Sequence, residues 1–143
     1  MHYAESIVSL IETSLQSLTG ITVYRGKSTP IEFENLPAVN IMSGDEEQAD
    51  SGTLTQYHFI LTVDIECYAA DSETKNIETA LNEVKEEVTK KLHEKASIHS
   101  SVIEMNETGS TKPEIYDGGE RQITQQTVGF AYLYRRSRLD PGA

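Results

Sequence analysis

The chain has 143 residues, 37% hydrophobic and 24% charged, which is enough to bury a core as one domain without disulfide or metal staples. Twelve Lys and Arg against 23 Asp and Glu leave a net charge of −11, which makes free DNA and an anionic membrane poor partners for the surface as a whole. The single cysteine, Cys67, excludes an intrachain disulfide, and no stretch approaches the ~18 apolar residues of a membrane span.

The N-terminal residues show no basic segment followed by an apolar one, so the chain reads as soluble and unsecreted. Tyr3, Ile7, Leu10, Ile11, Leu15 and Leu18 recur at helical spacing and predict an amphipathic helix. Thr19-Gly20 stops it, because glycine accepts the left-handed position after a helix at little cost. Ile21 to Tyr24 reads as a short strand, and Arg25 to Pro37, with two prolines, as a loop. Leu36 to Met42 recovers a strand, with Pro37 near its start where a missing N–H is tolerated. Ser43 to Thr55 is rich in Asp, Glu, Ser and Gly and reads as a loop, mobile over 46–55, at the end of a long hairpin.

Tyr57 to Tyr68 alternates: Tyr57, Phe59, Leu61, Val63, Ile65 and Cys67 share one face, with a more polar set opposite. A period of two with one polar face predicts a sheet covered on one side only. Cys67 falls on the apolar face and reads as a small buried hydrophobe. Asp71 or Ser72 is placed to cap the next helix, whose buried stripe is Ile77, Ala80, Leu81, Val84, Val88 and Leu92. Glu86–Lys90 and Glu87–Lys91 are favourable i,i+4 pairs on its outer face. Val102 to Glu107 reads as a short strand, and 108–120 as a second mobile loop or hairpin tip. The last strand, Gln122 to Tyr134, sets Val128, Phe130, Tyr132 and Tyr134 on one face. Its opening residues Gln122, Thr124, Gln125 and Gln126 are too polar for a core and are expected to project from it, and 136–143 reads as a tail. The whole predicts a single α+β domain, 1–143. Its sheet is mixed or antiparallel, of four or more strands, with two main helices packed on one face.

Charge is unevenly spread. No Lys or Arg lies between Lys27 and Lys75, a stretch holding Asp45, Glu46, Glu47 and Asp50, whereas Arg135, Arg136 and Arg138 cluster near the other end. The distribution reads either as a solvated acidic face with a basic tail or as an interface, and these seven residues are the candidate interface: an acidic patch and a separate basic one, suited to different neighbours. Catalytic signatures fail on inspection. Ser72-Glu73-Thr74-Lys75 matches S-x-x-K without its companion elements, and His93-Glu94 lacks a second histidine four residues on. The acidic segment lacks the spacing and central glycine of a calcium loop. No catalytic, cofactor-binding or metal-binding residue is expected, and the chain does not read as an enzyme. The three arginines lack the interleaved aromatics of a nucleic-acid face.

Several features taken in order resemble one family. An N-terminal helix leads into Val23-Tyr24-Arg25-Gly26, then Phe33-Glu34-Asn35-Leu36-Pro37-Ala38-Val39-Asn40-Ile41 and the acidic Ser43-Gly44-Asp45-Glu46-Glu47. A strand ending Asp64-Ile65-Glu66-Cys67-Tyr68, a helix, and a Tyr/Arg-rich final strand complete the pattern. It is similar to the minor tail protein U, or tail terminator, family of long-tailed bacteriophages and prophages. The resemblance implies an α+β structural subunit with no cofactor, assembled in the bacterial cytoplasm into the virion tail. It also implies a self-assembled ring, typically a hexamer, at the head-proximal end of the tail tube. Its partners would be the tail tube protein and the head–tail connector, with DNA only in transit through the lumen. A head-closure or neck protein, and a small-ligand binding module, are the alternative readings.

Overall fold

The computed structural model describes residues 3–52, 56–71, 76–95, 100–117 and 122–137. Two helices, α1 (Tyr3–Gln16) and α2 (Ile77–Glu94), accompany six strands. These are β1 (Thr22–Arg25), β2 (Ala38–Gly52), β3 (Gln56–Ala70), β4 (Val102–Ser110), β5 (Glu114–Asp117) and β6 (Gln122–Ser137). They form one mixed sheet in the order β1-β2-β3-β6-β4, with β5 also on β6, so this is a single α+β domain. β1 runs parallel to β2, and every other pairing is antiparallel.

The alternation in β3 and β6 decides which face is covered. Val39, Ile41, Leu61, Val63, Ile65, Cys67, Val128, Phe130, Tyr132 and Tyr134 point to one side and join a single buried cluster. α1 adds Ile7, Val8, Ile11 and Leu15, and α2 adds Leu81, Val84, Val88 and Leu92. Burying each large side chain of this kind stabilises the fold by roughly 1.5–3 kcal/mol relative to exposure. Leu10, predicted for the buried stripe of α1, is instead exposed, and Val8 takes its place. Arg25 of β1 bonds both carboxylate oxygens of Glu5 (3.0 and 2.5 Å), fixing α1 to the sheet's short edge strand. α1 gives way to β1 through Gly20, whose φ of 81° lies in the left-handed region that glycine favours.

Five further expectations are corrected. The acidic segment expected as a loop continues β2 as far as Gly52, pairing Glu46 with Leu61, Glu47 with Ile60 and Gln48 with Phe59. Residues 53–55 lie outside those described. The segment lacks strand-forming side chains, but backbone pairing to β3 makes it a strand all the same. Bulges between Ser43 and Glu46 and between Gln48 and Gly52 absorb the irregular residues. The second predicted loop is also largely strand: β4 runs through Ser110 and β5 spans Glu114–Asp117. β4 and β5 pair with successive stretches of β6 and so make one interrupted edge. At the interruption Thr111 still accepts through its carbonyl from Gln126 Nε2 (2.7 Å), and its amide donates to the Thr127 carbonyl (2.9 Å).

The polar start of β6 does not project. Thr124, Gln125 and Gln126 are buried because β6 lies between β3 and β5 there, and the side-chain amides find partners on Thr111 and Thr127. A buried amide with its hydrogen bonds made costs little, so polarity alone was a poor guide to exposure. Finally, α2 is capped by Asn76, whose Oδ1 accepts from the Thr79 amide (2.8 Å), not by Asp71. Ser72, the other predicted cap, lies outside the described residues, as does most of the predicted tail: β6 includes Arg136 and Ser137, and 138–143 are not described.

Candidate assembly surfaces

Among the described residues no group of His, Cys, Asp and Glu is arranged to hold a metal ion. Cys67 is fully buried on the helix-covered face, and burial pushes its thiol up to about 12, so no thiolate nucleophile is available there at neutral pH. The His93 side chain lies 3.7 Å from Glu107 on the exposed outer surface. The S-x-x-K stretch, 72–75, lies outside the described residues.

The candidate interface residues are distributed differently from the sequence reading. Asp45, Glu46 and Glu47 are exposed positions on β2. Asp50 belongs to the same strand, with its side chain outside what is described, and Arg138 is not described. β2 and β6 flank β3, so the acidic and basic segments meet at one end of the sheet instead of forming separate patches. Arg136 lies 3.8 Å from the centre of the Phe59 ring and reaches Glu46 at 3.5 Å, crossing β3 to do so. Phe59 in turn stacks on Tyr134 (6.0 Å between centres) and meets Tyr57 edge-on. A guanidinium over an aromatic face is worth about 0.5–1 kcal/mol where water still reaches it. The pair Glu46–Arg136 thus closes within one chain. Arg135, the next residue, points the other way and is exposed, with no side-chain partner among the described residues.

The face of the sheet away from the helices is the second surface. Ile60, Thr62, Asp64 and Glu66 of β3 and Thr127, Ala131 and Leu133 of β6 are each partly exposed on it. Burial first, then the Glu66 and Asp45 charges, hold the Asp64 carboxyl above its ordinary range. Near the β1 side, Asn40 is 1% exposed and fully used. It accepts from the Lys27 amide (3.0 Å) and donates to the Lys27 carbonyl (2.9 Å) and Glu66 Oε1 (2.9 Å), while Tyr68 donates to the same oxygen (3.1 Å). That network ties the segment after β1 onto this face. Sequence reasoning missed it; the Asn40–Glu66 register that builds it is a matter of strand pairing.

A third surface is a cleft of about 770 Å³ at the opposite end of the sheet from Arg135. Ile21, Leu36, Pro37, Ala69, Ala80 and Val84 contribute its apolar part. Five carboxylates, Glu34, Asp71, Glu83, Glu86 and Glu87, also line it, with no Lys or Arg among the lining residues. The predicted Glu87–Lys91 pair does not form; Lys91 turns to Glu94 (3.6 Å). Glu86 and Glu87 are exposed at the cleft, without ion pairs among the described residues. No family model and no curated protein matches the chain.

Proposed function

We propose that this chain is a structural, non-enzymatic subunit of a long-tailed phage or prophage tail. It forms a ring, of six copies in the family it resembles, on the head-proximal end of the tail tube, where it ends tube polymerisation and offers the head connector a joining surface. The observation that carries the reading is the sheet itself. Strands β2, β3 and β6 are 15, 15 and 16 residues long, roughly 50 Å each. Helices cover one face, and on that face the pairing continues past the core to Phe59, Tyr57 and Arg136. A sheet half-covered and longer than its core leaves extended surface for subunit contacts, which fits assembly better than chemistry. The element order and the Leu36-Pro37-Ala38-Val39-Asn40-Ile41 and Ser43-Gly44-Asp45-Glu46-Glu47 stretches support the same reading. Net charge of −11 per copy suits a lumen through which DNA passes without adhering.

The test is to add the purified chain to tail tube protein that is polymerising, and to measure tube length by electron microscopy. A terminator gives tubes of limited length carrying the chain at one end only. Tubes that grow to the same length with and without it reject the terminator reading and favour a neck protein, which acts at the same junction but does not cap the tube.

A further inference from the structure

We propose that the acidic cleft receives Arg135 of a second copy of the chain, so that copies associate head to tail through unlike patches. The proposal rests on the ring reading above and names the contact that would build the ring. The cleft combines an apolar floor with Glu34, Asp71, Glu83, Glu86 and Glu87; no Lys or Arg is among its described lining residues, and Glu86 and Glu87 are exposed there. Its natural occupant is a cationic side chain presented on an ordered element. Arg135 meets that description: it is exposed on β6, held in register opposite His58, and its backbone amide is bonded to the Ser101 carbonyl (3.0 Å). Its neighbour Arg136 is committed to Phe59 and Glu46, which leaves Arg135 as the outward-facing arginine of β6 among the described residues.

Geometry excludes the same contact within one chain. The cleft includes Ala69 and Ala70, whereas Arg135 pairs with His58, twelve residues back along β3, or about 40 Å at strand spacing. A donor patch at one end of a rigid sheet and an acceptor patch at the other define a heterologous contact. Such a contact closes into a ring when the rotation between copies permits. The β4–β5 edge of the sheet is a poorer candidate. The edge made by β4 and β5 carries two bulges, Gly109 at φ 126° and an interruption containing Pro113, features that blunt strand-to-strand addition.

The contact is tested by reversing each patch and then mixing. Self-association of the full chain is measured by sedimentation at low salt, for wild type, for Arg135→Glu, and for Glu86→Lys/Glu87→Lys. All three positions are exposed, and circular dichroism checks that the variants keep their fold. Each variant alone is expected to associate about tenfold more weakly or worse, since like charges then face each other. Mixed one to one, the two variants complement each other, and association returns to within about threefold of wild type. A mixture no tighter than its components overturns the proposal, as do variants that associate like wild type. A wild-type chain that stays monomeric at about 1 mM overturns it too. Tube capping is scored separately with the same proteins. Capping by a chain that fails the mixing test leaves the terminator reading standing without this contact, and mixing rescue without capping does the reverse.

Discussion

Gly129 and Phe130 are neighbours in β6, yet they face two differently built surfaces. Phe130 points to the helix-covered side and is fully buried in the apolar core cluster. Gly129 points to the other face, where Asp64 Oδ1 and the Thr108 hydroxyl stand over it. The covered face is held by volume: its residues are large, apolar and closely packed. The uncovered face is held by polar partners and close approach, with Asn40, Glu66 and Tyr68 in one hydrogen-bond network. The difference teaches where change is tolerated. A face that already stands against water can be remodelled at modest cost.

The contrast is sharpest at Phe130. Phe130→Ala is expected to lower stability by about 3–5 kcal/mol, because the surrounding core closes only in part around the lost ring. Urea unfolding measures it, and a loss below about 1 kcal/mol would break the description of that face as the tight one. Next in size is Gly129→Ala. A Cβ there would lie within a forbidden distance of Thr108 Oγ1 and 3.3 Å from Asp64 Oδ1, and Thr108 must turn away. The expected cost is about 1–3 kcal/mol. Adding Thr108→Ala should recover most of it, whereas costs that simply add in the double variant would show that the two positions are not coupled.

The smallest effect is expected at Asp64. Its carboxyl titrates above the ordinary value, so the folded chain holds that proton more tightly than the unfolded chain does. Stability is therefore lost as pH rises through the window just above the ordinary aspartate range. Asp64→Asn removes that loss. It should show a slightly higher Tm than wild type at pH 7, with the difference closing below about pH 4. A variant less stable than wild type at pH 7 would mean that the charged carboxylate makes a contact that outweighs its desolvation.

The candidate interface was legible as composition but not as arrangement. Asp45, Glu46, Glu47, Arg135 and Arg136 stand out in the sequence by charge alone. That Glu46 and Arg136 pair across Phe59 follows only from β2 and β6 both joining β3, although the two residues are ninety positions apart. The cleft was not legible at all, because its walls come from the turn between α1 and β1, the segment before β2, the end of β3 and the first turns of α2.

By itself the sequence determined the α+β class, most of the buried stripe of each helix and the apolar faces of β3 and β6. In those segments the hydrophobic period matches the period of the backbone, so each residue reports its own side. Tertiary structure decided what has no such period. It made a strand of the acidic stretch through backbone bonds to β3, and it buried Gln125 and Gln126 by placing β6 between two other strands. Backbone pairing and shared hydrogen bonds are indifferent to side-chain polarity, so they leave no local pattern to read.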